Sequence, residues 1–393
     1  MAKSILLDML PFQHSGGFGG ALSFTKAVYD CLFKHKTDET VVYGLYDSNR
    51  GLAQQYNLFE YANSHDIELF DVSKKPLREF LSEESIDCFY IAFGQFYEGI
   101  DLTGIKTKVI MFIHDIFDIE RCDNKIDYSI TDPCNLTLWQ RFKRIVNLAS
   151  GRYAKQAQNR YRDIMKLYTS ANTISYTVSN YSANALKYYF PEIKKEIKVC
   201  YSPLRKAEIT GNIENEVLKE LVKSGKKYFF MIAANRIYKN PGIVMKAFKR
   251  ISEEYDVKLI TLKYGKSINN SHIDINYLSD ADMDYAYKHA LAVLFPSFFE
   301  GFGYPPIEAI VNGTPAIASN VSSIPEVLGN AGIYFSPFYP ADLYRAMKLV
   351  LDNPSIKNYE LQERAKEITT RQEQDLHNLI KEILNLKSAT YRV

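Results

Sequence analysis

The stretch LAVLFPSFFEGFGYPPIEAIVNGTPAIAS, residues 291–319, decides how the chain folds. An apolar run ends at Phe295, and a loop carrying Glu300, Gly301, Phe302 and Gly303 follows it. A helix is expected to begin near Pro305 or Pro306, because proline suits the first helical turn. A second short apolar run, 316–318, comes next. Strand, loop, helix and strand in this order make the repeating unit of a parallel sheet. The loop then lies at the carboxyl end of a strand, where open α/β sheets bind ligands. Glu300 and Glu308, with seven residues between them, place two carboxylates one loop and one turn apart. Each can accept a pair of hydroxyls, a usual way of holding a sugar ring or a ribose. A helix dipole complemented by an acid would account for Glu308. It would leave the glycine-rich loop in front of it unexplained.

The same alternation extends outward in both directions. Short β-branched or aromatic runs at 4–7, 40–44, 87–91, 108–113, 173–178 and 197–199 form one set of candidate strands. A second set lies at 228–233, 258–262, 275–277, 292–295, 316–318 and 333–335. Amphipathic stretches separate most of them. The expected class is α/β, with two Rossmann-like domains facing each other across a deep cleft. A chain of 393 residues suits that count. The two sets meet in the polar segment 202–226, read as a connection with a short leading helix. Residues 1–205 are expected to form the first domain and 206–370 the second. Residues 371–393 are expected to contain a helix packing back toward the first.

Composition narrows the function. The 48 Lys and Arg nearly balance 46 Asp and Glu, which argues against a dedicated nucleic-acid binder. Five Cys without a C-x-x-C pair suggest neither a disulfide framework nor a zinc knuckle, so a reducing cytoplasm is the expected compartment. The opening MAKSILLDMLPF reads as a first strand rather than a signal peptide. No apolar run approaches the roughly 20 residues of a spanning helix.

Three further loops carry candidate chemistry. In HSGGFGGALSFTKAVYDCL (14–32), glycines at 16, 17, 19 and 20 stand between a strand and a helical pattern. Such glycines let backbone amides approach a phosphate at a helix N-terminus, or serve a tight turn requiring positive φ. The loop is neither a dinucleotide fingerprint nor a P-loop. KVIMFIHDIFD puts His114 just beyond an apolar strand. There it can bond a sugar hydroxyl or share a proton with a developing charge, or simply satisfy a backbone carbonyl. AANRIYKNPG puts Arg236 and Lys239 after the first strand of the second set, two cations that suit a leaving diphosphate.

Together these residues resemble the GT-B-fold retaining glycosyltransferases of family 4. Glu300 and Glu308 match that family's Glu-x7-Glu motif. The surroundings FPSFFEGFGYPPIEA, GTPAIASNVSSIPEVLGNAG and LSDADMDYAYKHALAVLFPS fit it. GGFGGA, FIHD and YTVSNYSANAL are similar to its first-domain elements. The resemblance implies a nucleoside-diphosphate sugar donor (UDP, GDP or dTDP) and no further cofactor. It implies that Glu300 touches the sugar hydroxyls, Glu308 the ribose, and Arg236 and Lys239 the diphosphate. The amides of Gly301, Phe302 and Gly303 would bind diphosphate or sugar. Gly16, Gly17 and Gly19 would approach the diphosphate from the first domain, with His114 beside the transferred sugar. The separation of Arg236 from Lys239 is short for the family. Metal independence is also implied; the acids at Asp280 and Asp282 are read as helix-capping groups. The implied reaction moves a hexose-type sugar to a glycan or a polyprenyl-diphosphate-linked acceptor in bacterial surface polysaccharide synthesis. Another sugar-nucleotide enzyme on the same fold, such as an epimerase, is the alternative.

Residues 139–166 contain Arg141, Lys143, Arg144, Arg152, Lys155, Arg160, Arg162 and Lys166 against the single acid Asp163. Apolar residues recur there at helical spacing. This segment is expected to meet an anionic membrane surface, placing the protein on the inner face of the cell membrane. A solvated helix face is the alternative.

Overall fold

The computed structural model describes residues 3–13, 19–51, 57–97, 102, 104–123, 137–204, 212–356 and 358–385. The chain divides into two compact units. The first comprises Met1–Ile116, Lys155–Arg205 and Arg371–Val393, and the second Phe117–Ala154 and Lys206–Thr370. Residues 117–154, assigned from sequence to the first half, therefore group with the second unit. Phe117 accounts for part of this: its ring centroid lies 5.4 Å from that of Tyr238 and 5.3 Å from that of Phe299.

The first unit is built on β1 (Lys3–Asp8), β2 (Thr40–Tyr46), β3 (Ile67–Asp71), β4 (Cys88–Ile91), β5 (Lys108–Phe112), β6 (Thr173–Thr177) and β7 (Ile197–Val199). Their spatial order is β3-β2-β1-β4-β5-β6-β7, and every pairing is parallel. The central strands carry unbroken apolar runs, because a sheet covered on both faces has no solvent side. Ile5–Leu7, Phe89–Ile91 and Val109–Phe112 are fully buried.

The second unit repeats the plan. Its strands are β8 (Tyr228–Met231), β9 (Lys258–Leu262), β10 (His272–Ile275), β11 (Ala292–Phe295), β12 (Ala316–Ser319) and β13 (Gly332–Phe335). They run in the order β10-β9-β8-β11-β12-β13, again all parallel. Helices Pro241–Glu254 and Pro340–Asp352 bury Val244, Phe248, Leu343 and Met347 against this sheet. In both sheets the strand order reverses at the middle, between β1 and β4 and between β8 and β11. That reversal opens a crevice at the strands' carboxyl ends.

Two strands depart from the expected pattern, and both lie at sheet edges. β3 has the sequence IELFD, where only Ile67 and Phe70 are buried, so no apolar run announces it. β10 begins at His272, three residues before the expected 275, because its polar residues are bonded inward. His272 Nε2 lies 2.8 Å from Thr261 Oγ1, and Thr261 Oγ1 donates to Asp274 Oδ1 at 2.6 Å.

The last helix is one continuous element, Asn358–Leu384, which begins well before the expected residue 371. Its later turns belong to the first unit. Gln372 Nε2 donates to the Ser202 carbonyl at 2.5 Å, and Asp375 Oδ2 accepts from the Tyr201 amide at 3.0 Å. Glu382 accepts from Tyr176 Oη at 2.5 Å and from Lys198 Nζ at 2.9 Å. Leu379, Ile380 and Ile383 are buried beside them.

Candidate active site

In the second unit the candidate residues collect at the β8/β11 reversal. After β8 the chain turns through Ala233 at φ +53° and a short 3-10 helix, Ile237–Lys239. Asn240, also at φ +53°, then caps helix Pro241–Glu254. After β11 comes the loop from Pro296 to Gly303. The two loops are tied together by the Phe298 amide, which donates to the Tyr238 carbonyl at 2.9 Å. Lys239 Nζ donates to Glu300 Oε1 at 2.5 Å. The side chains are only 9% and 12% exposed, so this is a nearly buried ion pair. The ammonium also lies 4.5 Å from the Phe295 ring centroid and 5.3 Å from that of Tyr238. Desolvation strengthens such cation–π contacts. Arg236 is half-buried, and its Nη1 donates to Tyr238 Oη at 2.9 Å.

Glu300 is held from behind by serines. Its amide donates to Ser322 Oγ at 2.9 Å. The Ser323 hydroxyl lies 3.0 Å from the carbonyls of both Glu300 and Phe302. Ser319 Oγ donates to the Ser297 carbonyl at 2.5 Å. Ser322 itself sits at φ +51°. Among the described residues of this unit, the non-glycine residues with positive φ are Ala233, Asn240, Lys263 and Ser322. All lie in loops that follow strands β8, β9 and β12. Strained backbone of this kind persists where the surrounding structure holds it, and it gathers at functional sites.

Gly303 takes φ +99° as the cap of helix Tyr304–Val311, which starts at Tyr304, a residue before the expected prolines. A Cβ there would make only ordinary 3.6 Å contacts with Phe295 and Pro306. The glycine is thus required by its backbone angle and not by crowding. Phe302 is buried against Tyr304. Glu308, on the helix's second turn, accepts a hydrogen bond from Tyr287 Oη. That bond orients the carboxylate. Asp274 braces the neighbouring loop by accepting from the amides of Tyr264 at 2.8 Å and Gly265 at 2.7 Å. Ser279, rather than an aspartate, caps helix Asp280–His289. Asp282 completes its capping box and also accepts from the Glu214 and Asn215 amides.

In the first unit, His114 follows β5 and is buried. Its Nε2 lies 3.0 Å from the Ala92 carbonyl. A carbonyl only accepts, so Nε2 carries the proton and Nδ1 is the acceptor nitrogen. The ring stacks on Phe93 at 4.4 Å and meets the edge of Phe24 at 4.8 Å. Burial in these aromatic surroundings pushes its pKa down to about 4, with the Ala92 bond opposing weakly, so the ring is neutral near pH 7. Asp8, at the end of β1, is fully buried. It accepts from the Leu10 amide at 3.1 Å and the Phe93 amide at 3.3 Å. Burial raises it to about 7, against the pull of those amides. Asp8 and His114 therefore grip the same Ala92–Phe93 turn from two sides.

The structure thus brings together Lys239, Glu300 and the Gly301–Gly303 loop, with Arg236 joined to them through Tyr238. Glu308 stands on the following helix. Gly16 and Gly17 lie outside the described residues, and Gly19 is the first residue of helix Gly19–His35. Asp8, Tyr287, Ser322 and Ser323 were not anticipated from sequence. Asp8 did carry a signal, an acid ending the apolar run KSILL. Serines and a tyrosine in helical or loop context carried none. Among the described residues, no group of three or more His, Cys, Asp or Glu is placed to hold a metal ion.

Residues 212–372 match the family described as glycosyl transferases group 1. The chain's fold is GT-B, with two parallel α/β sheets. It is 30% identical over 176 residues to the O-antigen chain mannosyltransferase RfbU of Salmonella typhimurium, 42% of this chain and 46% of that protein. It is 46% identical over 63 residues to the O-antigen chain mannosyltransferase B of Escherichia coli, 16% of each. The matches thus span less than half the length of either relative. The structure of Anabaena HepE in complex with UDP and glucose superposes with a TM-score of 0.60. The alignment covers 98% of this chain and all of that one at 14% identity.

Proposed function

We propose that the chain is a retaining glycosyltransferase. It would transfer a hexosyl group from a nucleoside-diphosphate sugar to a glycan or polyprenyl-diphosphate-linked acceptor in surface polysaccharide synthesis. The names of its O-antigen relatives make mannosyl the first sugar to test. The observation that carries this reading is the nearly buried Lys239–Glu300 pair at the β8/β11 reversal, beside a glycine loop and a helix N-terminus. A lone catalytic acid would not need such a partner. A cation and a carboxylate in contact suit a substrate in which a diphosphate and a sugar adjoin.

In this reading Lys239 and Arg236 take the charge developing on the leaving diphosphate, together with the amides of Gly301–Gly303. Preorganised donors of this kind are each worth on the order of 10²–10³ in rate. Glu300 accepts from the sugar hydroxyls, and Glu308, oriented by Tyr287, from the ribose. His114 stays neutral, so its Nδ1 can accept from a hydroxyl without adding positive charge. The C–O bond to the diphosphate breaks as the acceptor oxygen approaches the same face. The acceptor proton leaves with the diphosphate, and the anomeric carbon passes through an oxocarbenium-like state. The relatives' names give no support to an epimerase.

The test begins with thermal unfolding in the presence of UDP, GDP and dTDP, since a ligand that binds only the folded chain raises the transition. The matching sugar nucleotides are then offered with a polyprenyl-diphosphate glycan, and product anomers are read by NMR. Transfer with the donor's anomeric configuration kept is the expected result. Conversion of the nucleotide sugar without any acceptor would overturn the proposal.

A further inference from the structure

The basic segment 139–166 is two helices with opposite fates. Helix Arg152–Tyr168 turns its apolar residues inward. Tyr161, Ile164 and Tyr168 are buried, and the Tyr168 hydroxyl bonds the Tyr176 carbonyl at 2.9 Å. Its lysines and arginines are the solvent side of an ordinary packed helix. Helix Leu138–Ala149 is different. Leu138 is 85% exposed, Trp139 68%, Phe142 65%, Ile145 43% and Val146 45%. At 100° per residue these five positions fall within an arc of about 120°, a single stripe. Lys143 stands at its margin, with Nζ 5.3 Å from the Trp139 ring centroid. Positions 141 and 144 are basic as well.

A helix of this length gains most of its stability from burying an apolar face, which here is open. Contiguous exposed apolar surface of this size marks a contact site. Charge identifies what covers it. The stripe lies in a stretch with eight cations and one acid, in a chain whose net charge is only +2. A second copy docking on the stripe would bring the same excess of positive charge against it. An anionic lipid surface offers acyl chains to the stripe and phosphate to the cations. Tryptophan suits the boundary between the two.

We infer that helix Leu138–Ala149 lies in the surface of an anionic bilayer. In this arrangement Trp139, Phe142, Ile145 and Val146 are inserted. This does not depend on the transferase reading, because lipid binding requires neither donor nor acceptor. The transfer assay and the vesicle assay can fail separately.

Trp139 is the chain's one tryptophan, so its emission reports this helix alone. The experiment titrates the full chain with vesicles of phosphatidylglycerol and phosphatidylcholine, and with phosphatidylcholine alone, at low and high salt. The expected result is a shift of emission to shorter wavelength with the anionic vesicles, together with quenching by brominated acyl chains. Part of this should survive high salt. Phe142→Asp with Ile145→Asp should weaken vesicle co-sedimentation at least tenfold while leaving the thermal transition unchanged, since both residues are exposed. Arg160→Gln with Arg162→Gln should leave the emission shift intact. Co-sedimentation without any emission shift would overturn the inference. So would a shift that grows with protein concentration in the absence of lipid, which would mean that a second copy covers the stripe.

Discussion

Removing either member of the Lys239–Glu300 pair should separate its structural from its chemical contribution. The side chains are 9% and 12% exposed, so the buried-pair regime applies. Deleting one partner of such a pair costs about 3–5 kcal/mol, because the other charge is left desolvated. The two deletions should not be equal. In Glu300→Gln the ammonium keeps its place 4.5 Å from the Phe295 ring centroid, a contact worth up to about 2 kcal/mol when desolvated. In Lys239→Met the carboxylate keeps no comparable partner. Lys239→Met should therefore lie at the upper end of the range and Glu300→Gln at the lower. For a unit of this size about 2–4 °C accompanies each kcal/mol, so shifts of roughly 6 °C or more are expected in the second unit's transition. The double variant removes both charges and should recover much of that loss. Transfer should behave otherwise: kcat/KM falls on the order of 10²–10³ in each single variant and stays low in the double. If transfer recovers in the double variant along with stability, the pair is a scaffold and its assignment to the reaction is wrong.

Three other outcomes follow from the same geometry. Tyr287→Phe removes the donor to Glu308 and should cost about 1.5–3 kcal/mol. It should also raise the apparent Kd for the nucleotide, measured by calorimetry, while Glu300-dependent transfer at saturating donor changes less. Gly303→Ala, at φ +99° with room for the methyl, should cost about 1–2 kcal/mol through the backbone alone, read as a lower unfolding midpoint. His114 has a folded pKa of about 4, below its unfolded value of about 6.5. The unfolded chain then binds the extra proton first, so the neutral ring's contribution is intact above about pH 6.5 and is lost as pH falls toward 4. His114→Gln keeps an N–H for the Ala92 carbonyl without titrating. Its stability should fall about 3 kcal/mol less than that of the parent across this window, measured by denaturant unfolding at each pH.

The features legible in the sequence were those carried by neighbouring residues. Glu300, the glycines behind it and Glu308 lie within one loop and one turn, and the apolar strand in front tells which end of the sheet they occupy. Lys239 was legible for the same reason, as a cation just past a strand. Their pairing was not, because 61 residues separate them and only the β8–β11 adjacency closes that distance. Ser322, Ser323 and Tyr287 act through hydroxyls on segments whose local pattern is unremarkable. Asp8 looks from sequence like the polar end of a strand, and its burial depends on Phe93 and Leu10 folding over it. The central strands were visible as apolar runs. The edge strands β3 and β10 were blurred, because an edge strand can keep polar residues where a central one cannot.

The first unit is interrupted, and this has a consequence for how the chain is made. Its sheet is complete once β7 has left the ribosome, yet Ser202, Tyr201, Tyr176 and Lys198 bond Gln372, Asp375 and Glu382. At about 5–20 residues per second these partners arrive roughly ten to thirty seconds later, after the whole second unit. During that interval Tyr176 and Lys198 are without Glu382, and the apolar ground later covered by Leu379, Ile380 and Ile383 is open. The main stretch of the second unit, 206–370, is made without such a break. Any division of the gene at residue 205 would make that interval permanent for the first half. Supplying residues 371–385 in trans as a peptide should restore it.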